Sequence, residues 1–135
     1  MNAARLVIEM AKKYNSKLVV LNVIVSQVGY AYSSGMFGLS SPSAINELLE
    51  KSREEANKWF RDIETSASEN GVSLKTEMIV SRTSIVPAVV DYAEKNGVDL
   101  IVTGTKGRSG LTKVLLGSVA SGIVTHARCP VLIVK

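Results

Sequence analysis

Between Gly104 and Ser118 the chain reads Gly104-Thr-Lys-Gly107-Arg-Ser-Gly110-Leu-Thr-Lys-Val-Leu-Leu-Gly117-Ser118. Glycines let a backbone turn tightly and approach a ligand with no Cβ in the way. The segment follows a short apolar run, Asp99–Thr103, and leads into a helical pattern starting at Ser118. The N–H groups at Gly117–Val119 therefore sit at the positive end of a helix dipole, which favours phosphate. Ser118 is placed either to cap that helix or to give its hydroxyl to a phosphate oxygen, and Lys106 and Arg108 add positive charge at the mouth. Two common phosphate loops are excluded by counting. A Gly-x4-Gly-Lys-Ser/Thr loop would need glycine five residues after Gly104 or Gly107, where Ser109 and Thr112 stand, and the loop contains no Gly-x-Gly. What stands is Gly104-x2-Gly107-x9-Gly117-Ser118. On glycine content alone, a plain strand-to-helix connection explains the loop equally well.

The remaining chemistry-bearing residues are sparse. A Ser-His-Asp arrangement would have to use His126, the single histidine. At 1.5 Å per helical residue it ends roughly 12 Å from the loop, so it reads as a helix-end residue. No catalytic residue and no metal ligand is assigned, because His, Cys, Asp and Glu do not cluster in the sequence. Cys129 before Pro130 reads as a buried small residue. Glu47, Glu50, Glu54 and Glu55 alternate with Lys51, Arg53 and Lys58 at helical spacing, the pattern of an exposed paired face. Trp59 and Phe60 are expected to anchor the core. Tyr30, Tyr32, Met36 and Phe37 could cover a ligand, touch a partner subunit or pack on the surface.

The elements that must position this loop follow from periodicity. Helices are expected over Asn2–Tyr14, from Ser43 (as cap) to about Asn70, over Ser84–Asn96 with Pro87 in the first turn, and for about ten residues from Ser118. Ile45, Leu48, Leu49, Ala56, Trp59, Phe60 and Ile63 form the apolar stripe of the second helix. Leu18–Val25, Leu74–Val80, Asp99–Thr103 and Pro130–Lys135 read as strands, the second nearer an edge because it alternates imperfectly. Ser26–Ser43, rich in glycine and serine, reads as a mobile loop. Strict alternation of helix and strand predicts an α/β fold with an open parallel sheet and helices on both faces. In such sheets ligands bind at the carboxyl ends of strands, where the Gly104–Ser118 loop lies.

Composition agrees with one globular domain spanning residues 1–135: 46% hydrophobic and 21% charged residues. No apolar run approaches the roughly 20 residues of a membrane span, and no secretory leader pattern opens the chain. The single cysteine excludes an internal disulfide, and a cytoplasmic setting is expected. The net charge of +4 arises from sixteen basic residues interleaved with twelve acidic ones, and aromatics are 5% of the chain. That pattern argues against a nucleic-acid partner.

The spacing Gly104-x2-Gly107-x9-Gly117-Ser118 resembles the nucleotide-binding motif of the universal stress protein family. Val98-Asp-Leu-Ile-Val-Thr-Gly104, Leu115-Leu-Gly-Ser-Val-Ala120, Cys129-Pro-Val-Leu-Ile-Val-Lys135 and Ala11-Lys-Lys-Tyr-Asn-Ser-Lys-Leu-Val-Val-Leu-Asn-Val23 resemble the family too. The resemblance covers nearly the whole chain except Ser26–Ser43. It implies a three-layer sandwich of the adenine-nucleotide alpha hydrolase type, with five parallel strands ordered 3-2-1-4-5 and dimerisation through the last strand, here Val131–Val134. It also implies ATP as ligand, any Mg²⁺ being held by the phosphates. Carried over position by position, phosphate and ribose contacts fall on Gly104, Gly107, Arg108, Gly117, Ser118 and Val119, with Thr105 at a variable loop position. The adenine edge falls on the backbone of Val23. No base stands ready to activate water, so any ATP hydrolysis would be slow. Three readings are open: a nucleotide-binding regulatory dimer in stress response, a relative acting through dimerisation alone, and a small-molecule hydrolase, which the missing nucleophile–base pair disfavours.

The sequence departs from the family at its start. The family opens with a strand and an Asp-Gly-Ser-like turn, whereas Met1-Asn-Ala-Ala already lies in the helix that follows. The strand without a counterpart is the central one. Since neighbouring strands sit roughly 4.8 Å apart, its loss predicts an opening about two spacings wide between two unpaired edges. Each unpaired buried group costs on the order of 1–3 kcal/mol. Either Met1 is internal to a longer protein, or the shortened chain closes the opening or borrows a strand. A carboxylate that the family offers to the nucleotide is absent in either case. At the turn entering the third helix, Thr83-Ser-Ile-Val86 replaces a Gly-x-Pro-Ala pattern and is expected to cap through Thr83 or Ser84.

Overall fold

The structure is a computed structural model and describes residues 3–26, 42–105 and 116–135. Four helices and four strands alternate along them: α1 (Ala3–Tyr14), β1 (Leu18–Val25), α2 (Pro42–Glu69), β2 (Leu74–Ser81), α3 (Ile85–Lys95), β3 (Ile101–Gly104), α4 (Ser118–His126) and β4 (Val131–Val134). The alternation is the predicted one, with ends shifted by a residue or two. Pro42 opens α2 in place of the expected Ser43 cap, a first-turn position where the missing N–H is no loss. Most of the expected Ser26–Ser43 loop, including Tyr30, Tyr32, Met36 and Phe37, lies outside the described residues.

Left-handed residues follow the ends of α1, α2 and α3. Asn15, Gly71 and Gly97 have φ of 50°, 68° and 61°. After α2 the N–H of Val72 reaches back to Ala67 O at 2.9 Å, and after α3 the N–H of Val98 reaches Ala93 O at 3.0 Å. These are the wrapping bonds that satisfy a helix's last carbonyls, and they need a residue free to adopt positive φ.

The strands are all parallel, but they form two separate pairs. β1 pairs with β2 over Leu18–Val25, and β3 pairs with β4 over Ile101–Gly104. Among the described residues no ladder joins β1 to β3. With two strands in each pair, all four strands have one edge without a partner among the described residues.

The apolar core is divided in the same way. One cluster gathers Ile8 of α1 with Ile63 and Ala67 of α2, and Leu18, Val20 and Leu74 pack against it. The other gathers Ala93 of α3, Ile101 of β3 and Ile123 of α4, with Val86, Val89, Val119 and Val131 around it. The two clusters share no residue. On α2 the stripe is narrower than the sequence suggested: Ile45, Ala56, Phe60 and Ile63 are buried, while Leu48 and Trp59 are exposed. Trp59 is thus no core anchor. Its ring lies 5.8 Å from that of Phe60, on the rim of the buried stripe. The charged face of α2 is solvated as expected, with Arg53 bridging to Glu50 at 3.0 Å.

Candidate functional site

The C-terminal ends of β1 and β2 and the start of two helices meet in one place. A cavity of about 320 Å³ is lined by Val25 at the end of β1, by Thr83, Ser84, Ile85 and Val86 entering α3, and by Ser118 and Val119 opening α4. The lining is mainly aliphatic, with the hydroxyls of Thr83, Ser84 and Ser118 as its polar side chains.

The approach to α4 is held by backbone bonds. The N–H of Thr105, just past β3, donates to Val134 O at 2.9 Å, and Thr105 O accepts from the N–H of Gly117 at 3.0 Å. The residue before α4 is thereby fastened to the end of β3. Gly117 is the N-cap, with no side-chain cap hydrogen bond. Ser118 is thus the first helical residue and not the cap. The first intrahelical bond runs from the Ser121 N–H to Gly117 O at 2.9 Å. The N–H groups of Ser118, Val119 and Ala120 precede it and are the usual orphan donors of a helix start.

α3 presents a second such end. Ser84 holds the N-cap position at φ −155° and ψ 168° without a side-chain cap bond. The serine that braces this turn is Ser81, whose Oγ donates to Ser84 O at 3.1 Å and accepts from the Thr83 N–H at 3.3 Å. The expected capping by Thr83 or Ser84 is therefore not made, because Ser81 at the end of β2 reaches the turn first. Two uncapped helix starts, α3 and α4, line one cavity. Both dipoles place positive potential there.

Of the residues singled out in the sequence, Ser118 and Val119 line the cavity, and Gly117, Thr105 and Gly104 lie in the segment that leads to it. Gly107 and Arg108 lie outside the described residues. Val23 is not part of the lining. Val25, two residues nearer the strand end and about 6.6 Å further along an extended chain, is part of it. Thr83–Val86 line the cavity, whereas the sequence marks them only as a capping turn. The rule that placed the Gly104–Ser118 loop, a strand end feeding a helix start, also marks them.

His126 ends α4 on the far side, its Nδ1 2.9 Å from Gly122 O and its side chain exposed. Cys129 is half-buried against the α3–α4 cluster. Among the described residues no group of three or more His, Cys, Asp or Glu side chains is arranged to hold a metal. No helix among them is long and apolar enough to cross a membrane.

Comparison with known proteins agrees with this architecture. Residues 1–135 match the profile of the universal stress protein family. Universal stress protein MJ0531 of Methanocaldococcus jannaschii is 38% identical over 137 residues, covering 100% of this chain and 74% of that protein. The solved universal stress protein UspA from Lactobacillus plantarum superimposes with a TM-score of 0.81 at 24% identity, over 98% of this chain and 87% of that one. Similar folds include a universal stress protein from Archaeoglobus fulgidus in complex with dAMP (TM-score 0.64, 20% identity, 98% and 85% covered). Another is a universal stress protein in complex with cAMP (TM-score 0.61, 23% identity, 98% and 84% covered). The chain belongs to the universal stress protein family.

Proposed function

We propose that residues 1–135 act as one domain that binds an adenine nucleotide and works as a regulatory homodimer in the cytoplasm during stress. The observation that carries this reading is the uncapped start of α4 beside the end of β1. Ser118 and Val119, in the first turn of α4, line a cavity walled by aliphatic side chains, which suits a phosphate next to an apolar ring system. The dAMP and cAMP held by structurally similar proteins support that class of ligand. At about 320 Å³ the cavity is at the lower end of small-molecule sites.

In this reading Gly104, Gly107, Arg108, Gly117, Ser118 and Val119 hold phosphate and ribose, with Thr105 beside them. The backbone of β1 at Val23 meets the adenine edge, and the side chain of Val25 is an additional wall. The nucleotide is ATP, with any Mg²⁺ carried on its phosphates. ATP acts as a switch more than as fuel, its occupancy being the signal. A second reading, a relative acting through dimerisation alone, draws support from the separation of β1 and β3 directly beneath the site.

Thermal denaturation with millimolar Mg-ATP, dAMP and cAMP separates the two. Ligand at 100 times its Kd raises stability by about 2.7 kcal/mol, several degrees for a chain of this size. No shift with any of the three would overturn nucleotide binding and leave the second reading.

A further inference from the structure

β1 takes up one edge of β2 and leaves the other. The Leu18 N–H donates to Ser73 O and the Ser26 N–H to Ser81 O. A strand residue turns its N–H and C=O to the same side, and that side alternates along the chain. Odd-numbered residues of β2 therefore face β1, and Leu74, Thr76, Met78 and Val80 turn their backbone groups to the opposite edge. Among the described residues no strand pairs with that edge. It runs for the eight residues of β2 without a proline, a glycine or a bulge.

Side chains alternate as well, so the two faces of β2 differ. Leu74 packs with Ile63 and Ala67 of α2, and the Thr76 hydroxyl donates to Glu64 Oε1 of α2 at 2.9 Å. The Thr76 side chain is thus engaged within the chain, while its backbone faces the free edge. The other face carries Lys75 and Glu77, whose ammonium and carboxylate meet at 2.6 Å, with the Lys75 side chain 65% exposed. A lysine alone on a sheet edge repels a second copy of that edge. Lysine with glutamate two residues on does the reverse in one antiparallel register.

We propose that this edge of β2 is an interface for the β2 of a second copy of the chain, paired antiparallel about Thr76 and separate from any contact through β4. With Thr76 opposite the partner's Thr76, the two exchange backbone hydrogen bonds, and so do Leu74 and the partner's Met78. Lys75 then stands opposite the partner's Glu77, and Glu77 opposite the partner's Lys75. These are non-hydrogen-bonded positions, where facing Cα atoms lie about 4.5 Å apart and side chains come closest. Charge fixes the register. Sliding by two residues sets Lys75 against the partner's Lys75 in one direction and Glu77 against the partner's Glu77 in the other, and both arrangements repel. Sliding by one would face outward backbone groups with groups that point to β1. The occupant is a copy of this chain because the edge is complementary to itself.

The test is sedimentation equilibrium of the full chain without nucleotide, from micromolar to millimolar protein, so that its outcome is independent of the reading above. Lys75→Glu and Glu77→Lys each set like charges opposite one another across the interface, and each also removes the ion pair within the chain. Neither touches β4. Either variant alone is expected to associate at least tenfold more weakly than the parent. An equimolar mixture of the two is expected to regain the parent's affinity, since the charges of one then oppose those of the other. Neither chain in that mixture has its own bridge between positions 75 and 77, so a purely intrachain role for the bridge would leave the mixture as weak as its components. Two results overturn the proposal: variants that associate just as the parent does, whether through β4 or not at all, or a mixture that regains nothing.

Discussion

Gly117 carries two roles that a substitution can separate. Its backbone bond to Thr105 fixes the start of α4, and its lack of a side chain leaves the first-turn N–H groups free for an anion. At φ −57° its conformation is open to any residue, so a side chain there need not strain the backbone. Gly117→Asp would cap α4 and meet the positive end of its dipole, stabilising the free protein by about 0.5 kcal/mol. The same carboxylate would occupy the phosphate position and repel a nucleotide, lowering affinity at least tenfold, or about 1.4 kcal/mol. Gly117→Asn caps without charge and should weaken binding less. Melting temperature without ligand and calorimetric titration with Mg-ATP read the two effects apart. A Gly117→Asp protein that binds as well as the parent would remove α4 from the site. At this scale the sequence was informative about glycines and the Ser118 start because their reasons are local. It could not show that Val25, and not Val23, reaches the cavity wall. That depends on where β1 ends relative to α3, a tertiary fact.

Elements are brought to the site by one close helix crossing. A Cβ built on Gly122 of α4 would lie 2.7 Å from Val86 Cγ2 of α3 and 3.2 Å from its Cγ1. Valine is stiff at χ1, so it cannot turn aside without leaving its rotamer well. Gly122→Ala should gain about 1 kcal/mol of helix propensity and lose roughly 1–3 to overpacking, for a net destabilisation. With Val86→Ala already present the clash is gone, and adding Gly122→Ala should turn stabilising. Urea unfolding of the four proteins in the cycle measures that change of sign. The salt bridge of Arg128 to Glu94 at 3.1 Å joins the same two regions, but with Arg128 83% exposed it adds little.

The dimer reading also belongs to this scale. Among the described residues β4 pairs with β3 alone, and its register turns the backbone of Val131 and Ile133 to the outer edge. Ile133→Pro removes one outer-edge donor and spares the β3 ladder, so sedimentation should show weaker dimerisation with the monomer still folded. An unchanged dimer would place the contact elsewhere. Alternation of helix and strand was legible because apolar period and glycine stops are written locally. The exposure of Trp59 was not, because a helix stripe shows which residues share a face and not how much of that face a neighbour covers.

Across the molecule, two small cores replace one. A strand pair with α1 and α2 buries Ile8, Ile63 and Ala67, and a strand pair with α3 and α4 buries Ala93, Ile101 and Ile123. Cooperative unfolding needs each half to lose contacts when the other opens, and here the main contacts that cross are α1 on β3 and α3 on β1 and β2. Ile63→Ala removes buried volume from the first half and Ile123→Ala from the second, each a loss of about 2–5 kcal/mol. Native-state hydrogen exchange should then show Ile63→Ala speeding exchange in β1 and β2 far more than in β3 and β4, with Ile123→Ala doing the reverse. Their effects on stability should add, since the sites share no partner. Equal acceleration throughout the chain by either substitution would mean that the crossing helices couple the halves into one unit. The open parallel sheet was readable from the sequence, whereas the break between β1 and β3 was an expectation carried by the family resemblance alone. The split core was not, since no local pattern records which apolar side chains end up touching.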